Sequence, residues 1–369
     1  NRRQKVQVNV LKKEKDSEKV LSGAIFGLFA AEDIVSASGK ILIEKDTIIE
    51  LKTTDESGWI HFMADLPISA KYYLKEIYAP NGYVRGTETQ EFTFEYQGDK
   101  TTQAVYEFTF EDVQTSVELS KADLTDGKEL PGASLQVLDS NGTVVEEWIS
   151  TDEPHLIRGL LVGETYTMVE TKPADGYTTA ESIEFKVEDT AEVQKHQMLD
   201  DVTKVEISKT DVTDSKEVPG AKLTILDKDG KVVESWVSKK DPHMVEKLPV
   251  GTYTLREEQA PDGYLVAEEV SFEVKDTGEI QKVEMKDARP VGKLVLKKTD
   301  AEDGSPLAGA EFELRIKKSG KVVATLVTDE EGVATSGDIP IATYKDGKMK
   351  KEIEYILVET KAPEGYLTD

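Results

Sequence analysis

Four glutamates, Glu76, Glu170, Glu257 and Glu359, each stand seven residues ahead of the tyrosine of a Gly-Tyr pair. The stretches are "KEIYAPNGY", "VETKPADGY", "REEQAPDGY" and "VETKAPEGY". A proline-glycine turn explains the end of this motif but makes no demand for a carboxylate at its start. Four lysines recur in step with the glutamates: Lys12, Lys121, Lys209 and Lys298. Each follows apolar residues at period two (Val8 and Val10; Val117 and Leu119; Val205 and Ile207; Leu294 and Leu296), so it belongs to the core-facing side of a strand. Eleven residues separate each lysine from the glycine of an [LV]-x-Gly-Ala element, at Gly23, Gly132, Gly220 and Gly309. That constant spacing selects Lys12 over its neighbour Lys13. Three aspartates, Asp112, Asp200 and Asp287, close runs with the same apolar parity, 29, 23 and 23 residues after their Gly-Tyr tyrosines.

A lysine, a glutamate and an aspartate aimed at one core are costly unless paired or neutralised. One outcome is a structural ion pair, or a lysine snorkelling at a strand end. The other is chemistry, which recurrence at matched positions favours. Desolvation favours a neutral amine beside a neutral acid, and a neutral lysine is a nucleophile. A protonated glutamate can hydrogen-bond the aspartate and relay protons while an intermediate collapses. Loss of water leaves a Lys–Asp amide, a cross-link that needs no cysteine. Such a reaction runs once per domain, so the chain is not expected to be an enzyme with turnover.

The elements that carry these residues are repeats. "SVELSKADLTDGKELPGASLQVLDSNGTVVEEWIS" (116–150) aligns on "KVEISKTDVTDSKEVPGAKLTILDKDGKVVESWVS" (204–238), with looser copies opening at positions 6 and 293. Alternation at period two and turns such as "SNG", "DKDG" and "APDG" predict strands throughout. The expected fold class is all-β: four tandem antiparallel sandwiches at 1–113, 114–202, 203–289 and 290–369, joined into an elongated rod. The fourth is expected to lack its last strand, because Tyr366 lies three residues from Asp369. Lys298 is therefore expected to remain unlinked within this chain. Trp148 and Trp236 fall at matching places and are expected in the cores; His155 and His243 are expected in loops.

Composition narrows the function. The 369 residues carry a formal net charge of −26, which disfavours nucleic acid and anionic membrane surfaces as partners. Without cysteine, no disulfide or thiolate metal site is available. The acidic turns lack calcium-loop spacing, and no phosphate loop or nucleophile elbow is present. No metal or cofactor is expected. No apolar run of membrane-spanning length, signal peptide or hydrophobic tail is seen, so any anchor is expected outside this stretch.

The pattern "K-x-D…L-x-G-A…E-T-x-A-P-x-G-Y", in four copies over essentially the whole chain, resembles the Cna protein B-type repeats. These SpaA-type, prealbumin-like modules belong to Gram-positive surface adhesins and pilins. The middle copies, with "VELSKAD", "MVETKPADGY" and "MLD", also resemble a split adhesin domain used for covalent protein tagging. The resemblance implies bonds between a first-strand lysine and a last-strand Asp or Asn, assisted by the motif glutamate. By position these are Lys12–Glu76–Asp112, Lys121–Glu170–Asp200 and Lys209–Glu257–Asp287, with Lys298 and Glu359 as an incomplete fourth set. The first copy departs with Lys-Lys-Glu, and the second has its proline displaced by one. The function expected is the structural stalk of an extracellular, cell-wall-anchored adhesin. The alternatives are a ligand-binding module or a pilus shaft subunit. Expected partners are host matrix or glycan through another or terminal module, and the cell wall through an anchor outside this sequence.

Overall fold

A computed structural model describes residues 4–368, and among them there is no helix. Alternating apolar residues and glycine-rich turns fold into four β-sandwich modules in series. The chain packs as two compact units. The first comprises residues up to Ala174 together with Thr178–Asp201; the second comprises Asp175–Tyr177 together with the chain from Val202 onward.

In each of the first three modules a three-stranded sheet faces a four-stranded one. The first module sets Lys5–Glu14 between Trp59–Phe62 and Gln103–Asp112, against a sheet ordered Ile48–Thr53, Ile25–Ala30, Lys71–Tyr78 and Thr89–Thr93. The second repeats this with Ser116–Asp123 between His155–Arg158 and Gln194–Asp200. The third does so with Lys204–Asp211 between His243–Glu246 and Ile280–Asp287. Each module has its own core. Val6, Val8 and Val10 of the first strand pack with Phe26, Tyr72 and Phe110, and Val117 and Leu119 or Val205 and Ile207 take the same places further along.

Two features differ from a repeated, purely antiparallel sandwich: one in strand direction, one in an added element. The first and last strands pair in parallel: Lys12 lies opposite Phe110, Lys121 opposite Met198 and Lys209 opposite Met285. Parallel neighbours need a long crossover, and here the rest of the module supplies it. The second is a small hairpin, Ile34–Val35 with Ile41–Ile43, which accounts for part of the longer first module.

The fourth module pairs Val322–Val327, Glu311–Ile316 and Tyr355–Lys361 in one sheet, and Val295–Lys297 with Val333–Thr335 in another. Among the described residues no strand flanks the other side of Val295–Lys297.

The [LV]-x-Gly-Ala element has a backbone reason. Its glycines hold φ between +80° and +99°, a region closed to most side chains, and the following alanines are fully buried. Each alanine donates its N–H to a buried hydroxyl: Thr54, Ser150, Ser238 or Thr328.

Trp148 and Trp236 are half-buried at the margin of their cores. Each stacks on a histidine, His155 and His243, at 4.4 Å between ring centroids. Those histidines open strands instead of lying in loops.

Candidate cross-linking site

Period two carries the lysines inward as the alternation requires. Lys12, Lys121 and Lys209 are at most 1% exposed, the fate of a valine at that parity. Lys13 instead turns outward to Glu18 at 2.7 Å. The parallel register then sets the partner. Asp112, Asp200 and Asp287 lie on the adjacent strand, two residues beyond the one opposite the lysine, and so share its face. In every case lysine Nζ contacts the aspartate Oδ1 directly.

The glutamates arrive from the facing sheet. Glu76, Glu170, Glu257 and Glu359 pair with Phe26, Leu135, Leu223 and Phe312, three residues after the Gly-Ala glycine. Each pairing coincides with a β-bulge, where one residue of the glutamate strand is skipped. The glutamate keeps the inward parity of its strand, as Tyr72, Leu74 and Glu76 or Tyr166, Met168 and Glu170 show, and the bulge follows directly after it. Glutamate Oε1 lies 3.1 Å from Lys12 Nζ, 2.9 Å from Lys121 Nζ and 3.2 Å from Lys209 Nζ. The other oxygen, Oε2, accepts a backbone N–H ten residues on: Gly86 at 2.8 Å, Ala180 at 2.7 Å and Ala267 at 2.6 Å.

Burial dominates the electrostatics. It pushes the Glu76 carboxyl up to about 7, against the opposing pull of Lys12, and raises Asp112 as well. Asp200 is pushed to about 7 and Asp287 to about 6. Burial is again the largest cause, Glu170 or Glu257 adds to it, and the lysine opposes it. Burial thus favours the protonated form of Glu76 and Asp200 up to about pH 7, and of Asp287 up to about pH 6. The second aspartate oxygen, Oδ2, is buried with no hydrogen-bond donor among the described residues. In the first module Lys12 also lies over the Phe26 ring, 5.4 Å from its centroid.

The fourth module brings together only two of the three groups. Lys298 Nζ is 3.1 Å from Glu359 Oε1, with the lysine side chain 19% exposed. The strand that carries the aspartate elsewhere has no counterpart among the described residues.

The Gly-Tyr tyrosine has its own task, which the motif spacing did not reveal. Its hydroxyl donates to the acidic residue two positions after the lysine: Tyr83 to Glu14 (3.1 Å), Tyr264 to Asp211 (2.8 Å) and Tyr366 to Asp300 (2.7 Å). This explains the acid of Lys-x-Asp, and it shows that Lys-Lys-Glu in the first module serves equally. The turn is thereby tied to the lysine strand beside the lysine–aspartate–glutamate cluster.

The four modules match a known domain family. The SpaA domain, described as a prealbumin-like fold domain, matches residues 6–107, 115–201, 203–289 and 292–369. Among solved structures, the chain is similar to the TIE protein of Bacillus anthracis, with 27% identity and a TM-score of 0.42 over 77% of this chain. It spans about half of that protein, 51%. It is also similar to BcpA, the major pilin subunit of Bacillus cereus (16% identity, TM-score 0.35, 78% of this chain and 100% of that one). A streptococcal ancillary pilin gives 17% identity and a TM-score of 0.33, over 77% of this chain and 99% of that one. No protein of curated function matches.

Proposed function

Since the chain belongs to the SpaA prealbumin-like fold family, we propose that it is a load-bearing segment of an extracellular surface stalk. In this reading its first three modules are locked by self-formed Lys–Asp isopeptide bonds. One observation carries it: three separate cores each hold a buried lysine against a buried aspartate of the neighbouring strand, with a glutamate oxygen 2.9–3.2 Å from the same Nζ. An ion pair kept only for stability would be a poor use of three cores, because desolvation offsets most of its Coulomb gain.

The chemistry follows from proton count. The step starts from the lysine–aspartate ion pair with one further proton on the two carboxyls, a state that burial of the carboxyls favours. An internal shift from Nζ to the carboxyl pair gives a neutral amine facing a protonated aspartate, with no proton taken from solvent. Nζ then attacks the aspartate Cγ. The new C–N bond forms, one Cγ–O bond breaks, and the oxygen leaves as water with one proton from Nζ and one from the carboxyl pair. Glutamate, held through Oε2 by a backbone N–H, relays these protons through Oε1. Water exclusion makes the neutral forms accessible.

The amide would join adjacent parallel strands at the two chain ends of each module, enclosing 100, 79 and 78 residues of sequence separation. Tension along the chain would then pass through the bridge instead of the sandwich. Cell-wall attachment and any contact with host matrix or glycan belong, in this reading, to other parts of the protein.

Intact mass under denaturing conditions tests the proposal. Three amides remove three waters, so the chain should weigh about 54 Da less than its sequence, at ~18 Da each. A mass equal to that of the unmodified sequence refutes the cross-links.

A further inference from the structure

The segment Val84–Gly86 forms one wall of the first module's reactive centre. Gly86 donates its N–H to Glu76 Oε2. A Cβ at Gly86 would sit 3.2 Å from that oxygen, 3.4 Å from Asp112 Oδ1 and 4.0 Å from Lys12 Nζ. The strap is fastened at one end inside its own module, where Val84 N–H donates to the Val113 carbonyl at 2.9 Å, one residue past Asp112.

Its other fastening comes from the second module. Asp189, in the loop between Ile183–Lys186 and Gln194–Asp200, accepts the Arg85 N–H through Oδ1 at 2.9 Å. Its Oδ2 lies 3.7 Å from Arg85 Nε. Consecutive N–H groups therefore point opposite ways: Arg85 outward to Asp189, Gly86 inward to Glu76. A turn of the strap that released the first would swing the second away from the carboxylate. The junction holds the same register nearby, because Thr115 donates N–H to the Gly82 carbonyl at 3.0 Å and Oγ1–H to the Leu160 carbonyl at 2.7 Å. Gly82, at φ +80°, has no room for a side chain here: a Cβ would lie 2.5 Å from the Gly159 oxygen.

We propose that Asp189 is a positioning residue for Glu76, so that the second module completes the cross-linking centre of the first. This rests on the isopeptide reading above and adds an order to it: the Lys12–Asp112 bond forms efficiently only once the second module has folded against the strap. Asp189 touches none of the reacting atoms and acts through the Arg85–Gly86 peptide.

The test uses the full chain made by cell-free synthesis, quenched at intervals in acidic denaturant. Linked peptides are then quantified separately for the three modules. Asp189→Ala should slow the Lys12–Asp112 link about tenfold, the worth of one charge-assisted hydrogen bond. The Lys121–Asp200 and Lys209–Asp287 links should keep their rates. Asp189→Asn retains a neutral acceptor oxygen for the Arg85 N–H and should lose only part of the rate, about threefold. A loosened strap also admits water. In Asp189→Ala the loss of rate with rising pH should therefore begin at lower pH, in the first module alone. An unchanged first-module rate in Asp189→Ala would overturn the proposal. So would equal slowing of the first and second modules, which would mark a folding defect, or an Asp189→Asn variant as slow as Asp189→Ala. Absence of the Lys12–Asp112 link from the unaltered chain would instead overturn the cross-linking reading for that module.

Discussion

Glu170→Gln is the most informative single change, because it removes the proposed proton relay while preserving shape. Glutamine keeps an oxygen for the Ala180 N–H, which Glu170 now accepts at 2.7 Å. The second module should fold but fail to join Lys121 to Asp200. The cost can be worked from the loop that is no longer closed. A separation of 79 residues corresponds to about 4.5 kcal/mol of chain entropy at 25 °C, by the relation established for disulfides. The family match assigns this module 87 residues, 115–201. At ~2.1 cal/mol/K per residue its unfolding entropy is about 180 cal/mol/K, so the transition should fall by about 25 °C. Burying the amide beside Lys121 adds to that fall. The assay pairs calorimetry, in which one of several transitions should move, with intact mass, which should show two lost waters in place of three. A variant that still loses three waters refutes the role of Glu170. A variant that loses two while no transition moves refutes the loop-closure reasoning, since the bond would then exist without stabilising anything.

Asp200→Asn should still link, with ammonia leaving in place of water, and the finished chain should have the same mass and the same Lys121–Asp200 linked peptide as the unaltered one. A chain lacking that peptide would show that a carboxylic acid is required. Under force, the unaltered second module should yield no contour from the residues between its bridged positions, whereas Glu170→Gln should release ~79 residues' worth, about 260–285 Å. Equal contour in both would mean that no bridge shields the interior. Linking in freshly made chains should slow as pH rises past about 6 in the third module, where Asp287 loses its proton, and past about 7 in the second, where Asp200 does. The sign follows because these raised carboxyls are protonated, and hence reactive, only below their folded-state values. A rate that climbs steadily across this range would contradict the shared-proton mechanism. Tyr264→Phe removes the hydroxyl from Asp211 and should slow the third module's link by about fivefold without abolishing it, a loss of about 1 kcal/mol in positioning. An unchanged rate would detach that tyrosine from the chemistry.

Much of this was legible because β-structure writes its inside and outside with a period of two. Val117, Leu119 and Lys121 gave the lysine its direction, and the constant eleven-residue spacing, here to Gly23, separated Lys12 from Lys13 in the first copy. The parallel pairing of first and last strands was not legible, because alternation is the same in either direction and a strand's polarity depends on its partner. Nor was the bulge beside each glutamate. Bulges are set by how two strands meet, and nothing in "MVETKP" marks the skipped residue. The tyrosine anchor was hidden for a related reason: Tyr264 and Asp211 are 53 positions apart and meet only in the fold. Trp148 looked like core because Trp236 falls at the matching place, yet it sits on the edge strand of its sheet, half-buried and stacked on a histidine.

The two-residue offset between lysine and aspartate has a further consequence. Both lie toward the outgoing end of their parallel strands, so a bridged module presents to the rest of the chain only its first strand, one amide and a short exit. From Asp112 to Lys121, and again from Asp200 to Lys209, nine residues would separate successive proposed bridges. In the cross-linked reading, everything between a lysine and its aspartate is excluded from the path that carries tension. The first module could therefore take in a hairpin, Ile34–Val35 with Ile41–Ile43, without adding a single residue to that backbone path. Selection on reach and selection on surface would act on different residues of the same domain. Loops could drift, lengthen or acquire new contacts while the spacing between the proposed bridges stayed fixed.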